Sequence, residues 1–371
     1  MKKATLKQIA ALAGVSVTTV HRALNGKGGC SGEVEEEIRR IAQEQGYSVN
    51  MAAASLRKQT IQIAMIFPFR DIGGRFGLDQ ILDGYLDYRR EAGEYNVVFQ
   101  EFLLRSGEKN RDNYLDMEYP ELETTLNQIY NEQPTRFDGV IIYGMSITHK
   151  AEALLNRIVG KGTQVVVLER ALSTLEDACT VRSDSVMAGN LAAEILCGQI
   201  REPGTVAVIS RIIPGGDMVA QTCVQGVRAE REDLRCEVLP HVMTSGQGGE
   251  IAEELRKIPN LVGIYATSGR HTASLLEALK ELPEKEMTVI GSELFEETYE
   301  ALQKKRLTAV VDKRPQKIGF TAAHMLMNAL GKNKSIGGIH EIAPRIIIRA
   351  NSGLYLSIKR QYQHESESYS D

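Results

Sequence analysis

Acidic residues are absent from the first 32 positions of this 371-residue chain, where five basic ones stand: Lys2, Lys3, Lys7, Arg22 and Lys27. Residues 1–60 carry nine Lys/Arg against five Asp/Glu, net +4, and the remainder carries 35 against 43, net −8. A basic head on an acidic body confines contact with a polyanion to the head. Cysteine is sparse: Cys30, Cys179, Cys197, Cys223 and Cys236, an odd number with no C-x-x-C pair. That argues against a disulfide framework and a zinc site, and for reduced intracellular thiols. No apolar run approaches a membrane span, and the opening Met1-Lys2-Lys3-Ala4-Thr5 has no apolar signal core. A cytoplasmic protein without a membrane partner is the expectation. No G-x-x-x-x-G-K-[ST], G-x-S-x-G or H-E-x-x-H string occurs, and Gly73 to Gly77 lacks dinucleotide-binding spacing. Gly73 to Gly77 and the group Gly246, Gly248 and Gly249 read as a loop and a turn. His149, His241, His271, His324 and His340 have no metal-ligand spacing. No enzyme, cofactor or metal is therefore expected.

What is present begins at Thr5, which can cap a helix, with Gln8 completing a capping-box pattern. Leu6, Ile9, Ala10 and Ala13 recur at helical spacing as a buried stripe. Gly14 supplies a sharp turn, and Ser16 caps a second helix that buries Val20 and Leu24. Val17, Thr18, His21 and Arg22 are left on its outer face. A helix-turn-helix presents such positions to base edges in the major groove. The Arg22 fork matches guanine O6 and N7, Val17 and Thr18 suit a thymine methyl, and Thr19 and Asn25 suit phosphate. Residues 31–45, opened by Ser31, predict a third helix, with Tyr47 beyond it offering a hydroxyl to phosphate. Residues 50–58 form an Ala-rich segment with good helix propensity, too short to be stable alone.

The string T-L-K-Q-I-A-A-L-A-G-V-S-V-T-T-V-x-R-A-L-N-G, followed by G-Y-x-x-N-x-x-A-x-S-L-R, resembles the headpiece of the lactose-repressor-type (LacI/GalR) family of bacterial transcription regulators. The resemblance implies a hinge helix starting at Asn50, with Leu56 as the side chain that wedges into the minor groove. His21 stands where that family usually has serine, Val49 where proline is common, and Met51 where Ala or Arg is frequent.

From residue 61 short apolar runs alternate with helical stretches. Strands are predicted at 61–67, 97–103, 139–143, 165–168, 206–210, 263–266, 289–291 and 308–311. Helices are predicted at 78–92, 151–159, 185–199, 218–231, 272–282 and 315–330. Near-continuous Val/Ile runs separated by helices mean doubly wound parallel sheets, whose ligands sit at the carboxyl ends of strands. The strings F-D-G-V-I-I, S-D-S-V-M-A-G-N-L-A-A-E-I-L, G-V-R-A-E and L-T-A-V-V-D-K-R-P-Q-K-I-G-F make residues 61–350 similar to the family's effector domain, which looks like a periplasmic sugar-binding protein. The fold class expected is thus a small all-α helix-turn-helix head plus an α/β two-lobed, periplasmic-binding-protein-like body with doubly wound parallel sheets.

The expected domains are a DNA-binding head over 1–48, a hinge over 49–60, and an effector domain over 61–350. Its N-lobe is placed at about 61–170 and 310–335, and its C-lobe at about 175–300 and 340–357. The resemblance implies three crossings, near 170–180, 291–308 and 335–345. A polar tail over 361–371 reads as disordered and lacks a leucine heptad, so a homodimer is expected. The resemblance puts effector contacts on Phe69, Glu169, Thr267, Glu293 and Asp312, where carboxylates accept from vicinal hydroxyls and Phe69 stacks on a sugar face. Arg70, Arg211 and Arg270 each follow a strand end and suit a sugar acid or sugar phosphate. Cys223 takes the place of an arginine frequent in the family.

The function expected is a sequence-specific transcription repressor on near-palindromic operator DNA, controlled by a small carbohydrate-class effector. The alternatives are a sugar-binding transport component, a sugar-processing enzyme, or a nucleobase-sensing co-repressor of the same architecture.

Overall fold

The computed structural model describes residues 6–24, 31–44, 60–68, 76–91, 96–105, 119–131, 137–144, 147–172, 174–175, 177–212, 216–241, 247–283, 286–332 and 334–355. Contacts divide the chain into two units, residues 1–60 with 94–96, and residues 61–93 with 97–371.

The first unit contains α1 (Leu6–Ala13), α2 (Val17–Leu24) and α3 (Gly32–Glu44). Ile9, Ala10, Val20, Ala23, Ile38, Ile41 and Ala42 form its core, with Ala13, Val15, Leu24 and Val34 packed partly against them. Gly14 makes the turn at φ 63°, a conformation that costs a residue with a Cβ. Ser16 then caps α2 by accepting from the Thr19 N–H at 3.0 Å. Arg39 ties α3 to the end of α2 by donating to the Ala23 carbonyl at 3.1 Å.

The second unit holds two six-stranded sheets. The first sheet contains β1 (Ile61–Pro68), β2 (Val97–Leu104), β3 (Gly139–Tyr143), β4 (Gln164–Leu168), β5 (Cys179–Ser183) and β11 (Gly338–Ile342). Its order is β11-β5-β4-β3-β1-β2, parallel throughout. The second contains β6 (Gly204–Arg211), β7 (Leu234–His241), β8 (Leu261–Ala266), β9 (Thr288–Ser292), β10 (Ala309–Asp312) and β12 (Arg345–Ile347). Its order is β12-β10-β9-β8-β6-β7, and only β12 runs antiparallel. The two orders repeat one plan, so β4 corresponds to β9 and β5 to β10.

Helices cover the sheets. The N-lobe carries α4 (Leu78–Glu91), α5 (Pro120–Asn131), α6 (His149–Val159) and α12 (Pro315–Lys332). The C-lobe carries α7 (Ser185–Gln199), α8 (Met218–Glu230), α9 (Gly248–Lys257), α10 (Gly269–Glu281) and α11 (Glu296–Gln303). Two glycines let α4 and α12 touch backbone to backbone. A Cβ on Gly84 would lie 1.8 Å from the Gln316 carbonyl oxygen, and one on Gly319 would lie 1.9 Å from that of Ile81.

The lobe boundaries correct the sequence reading. β5 belongs to the N-lobe sheet although 175–300 was assigned to the C-lobe; β10 belongs to the C-lobe sheet although 310–335 was assigned to the N-lobe; and β11, at 338–342, returns to the N-lobe. The crossings therefore fall at residue 184, at 313–314 and at 343–344. In the first two, the chain leaves a sheet after the strand and before the next helix, a step that strand periodicity does not register. The first and third crossings are tied by the Asp184 N–H donating to the Ile342 carbonyl at 3.1 Å. Gly248 and Gly249 open α9 instead of forming only a turn.

Candidate functional site

The head presents one polar helix face. Ser16, Val17, Thr18 and Arg22 are exposed and Thr19 half-buried. Val17, at 40% exposed, is an apolar side chain left in solvent at the start of α2. Thr19 has its hydroxyl 2.8 Å from the capping Ser16 Oγ, so it supports the cap as well as the outer face. Ser31 is exposed, and its carbonyl accepts from the Glu35 N–H at 3.0 Å as α3 begins. Leu6 and His21 lie on described helix, their side chains outside the described residues. Thr5, Asn25, Tyr47, Asn50 and Leu56 lie outside the described residues altogether, as do Phe69 and Arg70 of the expected cleft.

In the body, the strand ends bring together a charged cluster. Glu169 follows β4 at φ 68° and Glu293 follows β9 at φ 60°, both in the left-handed region. The Glu169 N–H donates to the Val181 carbonyl at 3.0 Å, and the Glu293 N–H donates to that of Val311 at 3.1 Å. Glu293 is buried. Its Oε1 lies 2.7 Å from Lys313 Nζ, and its Oε2 has no hydrogen-bond partner among the described residues. Lys313 also donates to the Thr267 carbonyl at 2.9 Å. Gly269 leaves room for this carboxylate: a Cβ there would stand 2.9 Å from Glu293 Oε2 and 3.2 Å from the Phe76 Cβ. Phe76 in turn meets Phe295 edge to face, ring centres 4.9 Å apart, bridging the lobes. Gln80 adds a second bridge, donating to the Leu294 carbonyl at 3.1 Å.

Burial raises the pKa of Glu169, opposed by the nearby charges of Lys313 and Arg211. Glu293 is raised for the same reason, with Lys313 opposing. Asp217 goes the other way. Burial alone would raise it, but Arg211 and the Thr267 hydroxyl hold it far below the usual carboxylate range. Its Oδ1 accepts from Arg211 Nη2 at 2.9 Å, and its Oδ2 accepts from Arg211 Nε at 3.2 Å and Thr267 Oγ1 at 2.6 Å.

The cleft therefore links Arg211, Thr267 and Glu293 into one group, with Glu169 in reach of the charges of Lys313, Arg211 and Glu293. It also contains Lys313 and Asp217, which sequence reasoning missed. Lys313 stands two residues beyond a predicted strand end, and Asp217 directly precedes a predicted helix as its cap, so both had a positional signal. Arg211 is engaged with Asp217 and is not an unpaired anion receptor. The charge of Arg270 reaches Tyr119, whose pKa burial pushes up to about 12. Asp312 sits at the 313–314 crossing, accepting from Arg345 Nε at 2.8 Å and from the Arg314 N–H at 3.1 Å. Cys223 is fully buried in the C-lobe core. A carboxylate oxygen without a partner among the described residues, a half-buried ammonium and an aromatic edge suit a polar, hydroxyl-rich ligand.

Comparison with known proteins agrees with both halves. Residues 5–50 match the family described as bacterial regulatory proteins, lacI family, and residues 94–334 match the periplasmic binding protein domain. The ribitol operon repressor of Klebsiella aerogenes is 40% identical over 102 residues, covering 26% of this chain and 37% of the repressor. The maltose regulon regulatory protein MalI of Escherichia coli is 31% identical over 196 residues, covering 53% of this chain and 51% of that protein. The matched stretches thus span about half or less of these relatives. Among solved structures, the transcriptional regulator CelR–cellobiose complex aligns with TM-score 0.58 and 18% identity over 93% of this chain and 98% of that one. The arabinose-binding protein AraP of Geobacillus stearothermophilus aligns with TM-score 0.62 and 17% identity over 80% of this chain and 99% of that one. These two likenesses establish the shared two-lobed fold. With a lacI head and a periplasmic binding protein body in one polypeptide, the chain belongs to the lacI family of bacterial regulatory proteins.

Proposed function

We propose that this protein is a DNA-binding transcription repressor whose operator affinity is set by a small carbohydrate held between its lobes. The observation that carries the reading is a basic helix-turn-helix head on the same chain as a cleft with a buried Glu293 oxygen that has no partner among the described residues. Relatives named as the ribitol operon repressor and a maltose regulon regulator support the carbohydrate class, as does the CelR–cellobiose neighbour. In the head, Arg22, Val17 and Thr18 read base edges while Ser16, Thr19 and Ser31 face phosphate. Two copies bind a near-palindromic site, the protein's two-fold symmetry mirrored in the DNA.

In the cleft, Glu169, Glu293 and Thr267 meet ligand hydroxyls, and the ligand stabilises the lobe pose in which it fits better. Its differential affinity for the two poses sets the size of the switch. The test is gel retardation of genomic fragments by the full chain, with and without sugars and sugar alcohols that raise its melting temperature. A fragment retained against bulk competitor, and released or tightened by one such ligand, is the expected result. Retention of none overturns the reading.

A further inference from the structure

A cavity of about 350 Å³ opens between the lobes where the chain crosses from β10 to α12. Its N-lobe wall includes Lys317 and Phe320 of α12, and its C-lobe wall includes Leu294, Arg345 and Leu354. Asp312 lines it, whereas Glu169, Arg211, Thr267 and Glu293 of the cleft take no part in its lining. Arg314, in the crossing itself, completes the cationic side.

The charge balance of this cavity is uneven. Of its two carboxylates, Asp312 accepts from Arg345 at 2.8 Å, and Asp87 accepts from Gln316 at 2.6 Å while pairing with Arg90. Among the described residues, neither Arg314 nor Lys317 has a carboxylate within ion-pair distance. Lys317 instead stands 5.1 Å from the centre of the Phe320 ring. Arg314 is held at φ 57° with its N–H on Asp312 Oδ1. Arg314 and Lys317 thus both line a sugar-sized space with an apolar wall of Leu294, Phe320 and Leu354.

We propose that this cavity is a second effector site, taking a small phosphorylated metabolite of sugar size. Arg314 and Lys317 bind the phosphate by charge-assisted hydrogen bonds, and the apolar wall takes the carbon skeleton. Because both lobes and the crossing contribute, occupancy biases the lobe pose from outside the cleft.

Isothermal titration of the full chain tests this with ribose 5-phosphate as probe, and ribose and inorganic phosphate as controls. Lys317 is exposed, so Lys317→Gln leaves the fold intact. Binding of ribose 5-phosphate, weakened about tenfold or more by Lys317→Gln and by Arg314→Gln, is expected. No binding of ribose 5-phosphate, or binding unchanged in both variants, overturns the proposal. Equal affinity for inorganic phosphate also overturns it, marking an adventitious ion only. The readout is independent of DNA, so failure here is distinguishable from failure of the repressor reading.

Discussion

Glu169 and Glu293 occupy equivalent places in the two lobes. Each follows the fourth strand counted from its sheet's β2 or β7 edge, β4 in one sheet and β9 in the other. Each has positive φ and donates its N–H to the next strand, β5 or β10. Left-handed backbone at a residue with a side chain costs on the order of 1 kcal/mol, and it persists where the surroundings over-determine it. Here it turns two carboxylates out of two strand ends toward one cleft.

Burial raises the pKa of Glu169, and this fixes the sign of a pH effect. A carboxyl raised in the folded state leaves stability intact below its unfolded value and erodes it as pH rises through the folded value. Glu169→Gln should therefore raise the melting temperature at about pH 8 and leave it unchanged near about pH 4. Thermal unfolding across that range checks this; an equal shift at both ends contradicts it.

Asp217 gives the opposite slope. Its pKa is depressed, so its contribution is present above the ordinary aspartate value and is lost as pH falls through the folded one. Asp217→Asn leaves Arg211 without its carboxylate and should cost about 3 kcal/mol at neutral pH, since breaking one partner of a buried pair strands the other. Urea unfolding at pH 7 and at pH 3 should show the penalty shrinking in acid.

Gly269→Ala places a methyl group 2.9 Å from Glu293 Oε2 and 3.2 Å from Phe76. The carboxylate and the aromatic bridge must shift, so carbohydrate affinity should fall about tenfold while DNA binding without ligand persists. Titration of the variant with the ligand that stabilises the parent checks this.

In the head, Ser16→Ala removes the cap of α2 and should cost about 1 kcal/mol of stability. Arg22→Ala should instead leave stability unchanged and flatten discrimination among DNA sites, because Arg22 is exposed. Unfolding curves and competition binding separate the two effects.

Much of this was legible in the residues because burial writes a period. Runs such as Gly139–Tyr143, buried at every position, declare central parallel strands. β7 escaped because it is an edge strand with Arg235, Glu237 and Pro240, and so shows no continuous apolar run. β11 escaped for the same reason, with four of its five residues exposed. α9 was hidden behind Gly248 and Gly249, which read as turn residues. The strand-end positions of Glu169, Thr267 and Glu293 were legible because each directly follows a strand. The pairing of Arg211 with Asp217, and of Lys313 with Glu293, depends on side-chain reach across elements, which no local pattern encodes.

The most direct measurement is the affinity of the full chain for a retained genomic fragment, by fluorescence anisotropy, with and without a saturating carbohydrate that raises its melting temperature. A change of about tenfold or more in Kd, lost in Glu293→Gln, is predicted. An affinity unmoved by a carbohydrate that demonstrably binds would contradict control of the head by the cleft.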